Sequence, residues 1–287
     1  MSQQTELQEK AKELLADKTA DVVIGYGIVE TNIAAPVFIT DAKETHRLIW
    51  NDQCTANLTV YLTRAEVKKL GKAAVVCKGC DARTIAVLIA ENQLTPEDTV
   101  VIGVECNGVK QNGQMQDKCL SCDVHLPPNC NIIIRNTEQN DTPPQNSAAE
   151  RYVKVERIMM LPPKERFEYW QKELSRCVKC YACRQNCPLC YCNICVADKN
   201  RPVRIDTSST LKGNLAWNIL RAFHLAGRCV GCSSCASACP ANIDLDILNL
   251  CLTKAAEEKF NYRSGYDPKV LPPIGSFSPD DSENFIR

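Results

Sequence analysis

Apolar residues recur at helical spacing at the start of the chain, with Leu7, Ala11, Leu14 and Leu15 on one face, and predict an amphipathic helix over residues 1–20. Strand-length apolar runs follow at 21–29, 36–40, 73–77 and 99–106, and TVVIGV in the last has no polar interruption. Such unbroken runs mark strands buried on both faces, as in parallel sheets. Helical stretches separate them at 63–70, opened by a Thr63–Glu66 capping box, and at 81–94, with Asp81 as N-cap. NIIIRN (131–136) supplies a last strand. The alternation predicts an α/β N-terminal domain with a mainly parallel sheet over residues 1–136.

Beyond it the pattern changes. TEQNDTPPQNSAAE is polar and rich in Pro and Asn, so residues 137–160 read as a linker. PPKERFEYWQKELSR (162–176) opens with proline and continues as a helix. A second helix, 214–227, is apolar at Leu215, Ile219, Phe223 and Ala226. Together they predict a mainly helical domain over 161–260, followed by an extended tail, 261–287, free to drape over a partner.

The 287 residues have room for two domains, and 45% hydrophobic content supplies their cores. Lys+Arg and Asp+Glu are both 34, which gives nucleic acid or an anionic membrane no general attraction. The opening MSQQTELQEKAKELLADKTAD lacks the apolar centre of a secretory signal, and no run approaches the roughly 18 apolar residues of a membrane span. A cytoplasmic location without direct membrane insertion is expected. Cysteine changes the picture, with 19 residues in bunches. In a reducing compartment that abundance points to metal or redox chemistry rather than disulfides.

RCVKCYACRQNCP supplies Cys177, Cys180, Cys183 and Cys187, and RCVGCSSCASACP supplies Cys229, Cys232, Cys235 and Cys239. Each is a complete C-x2-C-x2-C-x3-C-P run, in which three thiolates wrap one [4Fe–4S] cluster and the fourth crosses to its neighbour. Cys177, Cys180, Cys183 and Cys239 are therefore assigned to one cluster, and Cys229, Cys232, Cys235 and Cys187 to the other. Zinc ligands come as two separated pairs, a pattern these runs do not follow. The spacer between the runs is long and helical. With CPLCYC and CVGCSSCASACPANIDLDIL, it makes residues 165–255 resemble the dicluster (α-helical ferredoxin) domains of sulfhydrogenase β subunits. The iron–sulfur subunits of anaerobic sulfite reductase and heterodisulfide reductase carry similar domains. Cys190, Cys192 and Cys195 could hold a further cluster with Cys54, Cys130 or Cys251, or simply pack beside the first; three thiols are one short of a ligand set, which favours packing.

In the first domain, Cys80 follows the strand AAVVC, Cys106 ends TVVIGVEC, and KCLSC adds Cys119 and Cys122. Strand ends of a parallel sheet share its carboxyl edge, where α/β folds place ligands, so the four thiols suit a third [4Fe–4S] cluster or zinc. VVIGYG, KGCDARTIAVL, VIGVECNGV and KCLSC, spanning about 20–136, resemble the β-subunit family of deazaflavin-dependent hydrogenases and dehydrogenases. The resemblance implies a [4Fe–4S] cluster on Cys80, Cys106, Cys119 and Cys122 and a flavin (FAD) exchanging hydride with the deazaflavin. The family's glycine-rich flavin contacts are not evident, and NDQCTANL stands where its nucleotide-contacting segment would lie; Gly25 and Gly27 read as strand-end turns.

His125 is an alternative ligand, His224 a donor toward cluster sulfur or a packing residue, and Trp50, Trp170 and Trp217 core residues. No catalytic set emerges. The expectation is an iron–sulfur electron-transfer subunit of an anaerobic oxidoreductase complex, heterodisulfide-reductase-like, hydrogenase or formate dehydrogenase in type. Its partners would be flavoprotein and catalytic subunits. The alternative is a flavin-containing subunit that feeds substrate electrons into its own clusters.

Overall fold

The computed structural model of the chain describes residues 1–29, 33–137, 150–198, 202–203 and 205–279. Helix α1 (Gln3–Ala16) starts at Ser2, whose side chain accepts the Thr5 N–H at 3.2 Å, and it buries Leu7, Ala11 and Leu14 as its periodicity predicts. Burial of each such leucine contributes about 1.5–3 kcal/mol. Strands β1 (Val22–Val29) and β2 (Ile33–Ile39) form an antiparallel pair. After the short α2 (Ala65–Lys68) come β3 (Ala73–Cys77), α3 (Gly79–Ala90) and β4 (Thr99–Val104). A small hairpin of β5 (Lys110–Gln111) and β6 (Gln114–Met115), the short α4 (Asp117–Leu120) and β7 (Ile132–Ile134) complete this part. The sheet order is β2-β1-β3-β4-β7, with β1, β3, β4 and β7 parallel. Every residue of β3 and β4 is buried, as the unbroken apolar runs require.

Several local expectations are corrected. Helix α2 is capped at Arg64 without a side-chain bond, so the Thr63–Glu66 box does not open it. Asp81 is not the N-cap of α3 but its third residue; Lys78 holds the cap, and its N–H donates to the Asp81 carboxylate at 3.1 Å. Gly25 and Gly27 lie within β1 rather than at its end, where Leu48 and the Arg47 carbonyl leave no room for a Cβ.

The helical part comprises α5 (Val153–Met159), α6 (Pro163–Ser175), α7 (Ala182–Gln185), α8 (Leu211–His224), α9 (Ser234–Ser237) and α10 (Leu245–Phe260). Of the expected linker, 138–149 lie outside the described residues, and α5 occupies much of the remainder. Trp217 centres a core with Leu174, Ile243 and Leu245, while Tyr152, Val155, Ile158 and Ile247 form a smaller one. The core of the sheet does not stop at the α/β part, because Leu189, Leu225 and Val230 belong to it. The start of the tail packs on the chain itself. Ser264 is buried against the chain's own α3, with its carbonyl accepting from Arg83 at 2.7 and 3.0 Å.

Candidate metal centres

The two cysteine runs fold alike. Lys179 and Tyr181 have φ of 57° and 61°, and the matching positions of the second run, Gly231 and Ser233, have 73° and 52°. Left-handed backbone costs an L-residue about 1–2 kcal/mol, so its repetition at equivalent places marks a required loop shape. In both runs the third cysteine then enters a short helix, Cys183 in α7 and Cys235 in α9. The second loop also turns a backbone donor onto sulfur: the Gly231 N–H meets Cys229 Sγ at 3.4 Å.

Two helices hold the loops by their carbonyls. The buried face of α8 is polar, with Asn214, Asn218 and Arg221 beside Trp217, whereas Ile219 and Phe223 of the expected apolar face are exposed. Asn214 Nδ2 donates to the Cys177 carbonyl at 2.8 Å, and Arg221 Nη2 to that of Cys183 at 3.0 Å. From α10, Asn249 Nδ2 reaches Cys235 Sγ at 3.6 Å and Thr253 Oγ1 the Cys229 carbonyl at 3.4 Å. Apolar periodicity points to the wrong face of α8; the Asn214–Asn218–Arg221 stripe at helical spacing is the signal that finds the right one.

Cys187 of the first run lines one small cavity together with Cys229, Cys232 and Cys235 of the second. Cys177, Cys183 and Cys239 meet in the Trp217 core, and Cys180 is exposed. Burial pushes the Cys183 and Cys229 thiols up to about 11, and Cys235 higher. Cys190 behaves differently. A hydrogen bond with Cys187, aided by Arg221 against the effect of burial, brings it down to about 6. Cys195 packs on the Trp217 core, Cys192 is exposed, Cys54 is buried in the sheet core, and Cys251 packs on the Tyr152 core. His224 is exposed.

At the carboxyl edge of the sheet, Cys80, Cys106, Cys119 and Cys122 line one cavity of about 820 Å³. Cys80 is in the first turn of α3, Cys106 lies just past β4, and the α4 loop brings the other two. Backbone N–H groups of Gly108, Val109 and Val124 point at the sulfurs of Cys106, Cys119 and Cys122 at 3.4, 3.4 and 3.5 Å. Burial pushes Cys106 up to about 11 and raises Cys80 and Cys122 as well. Beneath the cavity Lys78 and Asp81 form a buried ion pair at 2.8 Å, and the Lys78 ammonium also bonds Tyr26 and the Ala56 carbonyl. His125 Nδ1 contacts the Cys106 carbonyl at 2.9 Å, with Nε2 buried and without a partner among the described residues.

The cavities adjoin. Val230, Gly231, Ser233 and Asp246 line both, and Lys118 of the α4 loop donates to the Cys232 carbonyl at 2.8 Å. Among the described residues no three His, Cys, Asp or Glu side chains converge closely enough for a single metal ion. Each cavity gathers four cysteine sulfurs, which suits iron–sulfur clusters or zinc, and carboxylates such as Asp117, Asp123 and Asp246 also line the larger one. Buried Arg221 adds a second mark of fit. Among the described residues its charge faces thiols, Cys190 first, rather than a carboxylate, which suits thiolates held in their anionic form.

These features define a class of protein: an α/β unit with thiols at its carboxyl edge, sharing a core with a helical, cysteine-rich unit. Within that class the chain is similar to β subunits of deazaflavin-dependent dehydrogenases. It is 23% identical to the F420-dependent formate dehydrogenase subunit beta of Methanocaldococcus jannaschii, across 83% of this chain and 85% of that protein. It is 24% identical to the F420-dependent formate dehydrogenase 1 subunit beta of Methanococcus maripaludis, over 39% of this chain and 28% of that protein. No protein-family model matches the chain.

Proposed function

We propose that the chain is an iron–sulfur electron-transfer subunit of a cytoplasmic redox complex of the formate dehydrogenase type. Cys177, Cys180, Cys183 and Cys239 would hold one [4Fe–4S] cluster, Cys187, Cys229, Cys232 and Cys235 a second, and Cys80, Cys106, Cys119 and Cys122 a third. Such clusters supply one-electron chemistry, and the chain's part is to hold them close, exclude water and set their potentials. The observation that carries this reading is the pair of adjoining cavities, each lined by four cysteines, with the Val230–Gly231 backbone between them. Cys180 of the first set is exposed, and Lys118 of the α4 loop bonds the Cys232 carbonyl of the second run. The named relatives supply the class of host, in which flavoprotein and catalytic subunits would be the partners. Among the described residues no helix is long and apolar enough to cross a membrane.

Iron and sulfide analysis of anaerobically purified protein tests this. About twelve iron per chain is expected for three clusters, about eight for two, and iron-free protein rejects the proposal. A second reading, FAD beside the Cys80 site, draws on the cavity of about 820 Å³, a size typical of small-molecule sites. Flavin released on denaturation supports it, and flavin-free complex rejects it.

A further inference from the structure

Arg221 is 5% exposed on the inner face of α8. Its Nη2 donates to the carbonyl of Cys183, a residue of the first thiol set. Its foremost electrostatic neighbour is Cys190, followed by Cys187 and Cys235 of the second set. Among the described residues no carboxylate pairs with it; its counter-charge comes from thiols, Cys190 foremost. Arginines elsewhere in the interior have different duties. Arg83 ties α3 to the Ser264 and Val230 carbonyls, and Arg228 pairs with Glu91. Arg221 is aimed between two sets of thiols.

We propose that Arg221 is a positioning residue and fixed cation that raises the reduction potentials of both thiol sites in the helical part, a role that rests on their holding [4Fe–4S] clusters as in the proposed function. Four thiolates make such a cluster an anion, and reduction adds one more negative charge. A nearby guanidinium therefore favours the reduced form, and burial leaves that attraction poorly screened by salt. Arginine suits the task because it stays charged at any working pH and its fork can bond a carbonyl and a thiolate at once. The third thiol set, at the sheet edge, does not face Arg221 and serves as an internal reference.

The test is a redox titration of the anaerobically purified full chain, followed by electron paramagnetic resonance, with iron counted in each sample. In R221Q, iron is expected to remain while the midpoint potentials of the two helical-domain sites become more negative and that of the Cys80 site stays put. R221K, which keeps the charge, is expected to stay near the unmodified protein. Unchanged potentials in iron-replete R221Q overturn the proposal and leave the relay reading standing, as does R221K moving as far as R221Q. If R221Q does not fold, N218D carries the test, because it sets a carboxylate one turn from the guanidinium on the same buried face. A shift to more negative potentials is again expected, and no shift overturns the role. Unmodified protein without iron removes the relay reading itself, and the proposal with it.

Discussion

At the residue scale, the cysteine loops show how much of a site is backbone. Lys179 and Tyr181 accept left-handed conformations that their side chains disfavour, and the second run answers with Gly231 and Ser233. Gly231→Val places a β-branched side chain at a φ of 73°, with Leu250 already 3.3 Å from the position of its Cβ. A loss of about 1–2 kcal/mol is expected, read as a lower urea midpoint, together with poorer iron retention. Lys179→Gly copies the second run into the first and is expected to be tolerated by both measures. The cysteine spacing is legible in sequence because ligand identity and interval are local properties. The roles of Asn214 and Arg221 are hidden there, since a polar stripe on a helix looks the same whether it meets solvent or a loop of carbonyls.

At the element scale, α3 sets the geometry of the sheet-edge site. Its first turn carries Cys80, and Gly79 stands where an added Cβ would meet the Val124 carbonyl at 2.0 Å. Val124 in turn donates its N–H to Cys122 Sγ. Gly79→Ala must therefore push the α4 loop from the helix, at a cost of about 1–3 kcal/mol. Iron analysis is expected to show a loss of about four atoms per chain, with the helical-domain clusters retained. The sequence pattern starts this helix at Asp81, close to its true beginning, but points to the wrong cap. Lysine is a poor cap by propensity, and Lys78 takes the position because Asp81, Tyr26 and Ala56 together satisfy its buried ammonium.

At the scale of the whole molecule, the two units are joined by charge and by a shared core. Arg228 and Glu91 make a twofold hydrogen-bonded pair, 12% exposed on each side, and Tyr191 adds a bond to the same carboxylate at 3.0 Å. The pair joins the C-terminal end of α3 to the residue just before Cys229. Glu91→Gln keeps the shape and removes the charge, so a loss of about 1–3 kcal/mol is expected as a lower urea midpoint. Arg83 does the same work nearby, and the shared core of Leu189, Leu225 and Val230 makes the contact apolar as well as charged.

The amino-acid sequence alone determined the five strands of the main sheet, five helices (α1, α2, α3, α6 and α8) and the eight-cysteine framework, because apolar period and ligand spacing act over a few residues. Helix α10 and the hairpin of β5 and β6 were not read from it. Which thiols share a cavity, which cation lies between them, and how the sheet edge meets the second run were decided by tertiary structure. Those relations join residues up to about a hundred and fifty positions apart, from Cys80 to Cys232, and only packing brings such distant groups together.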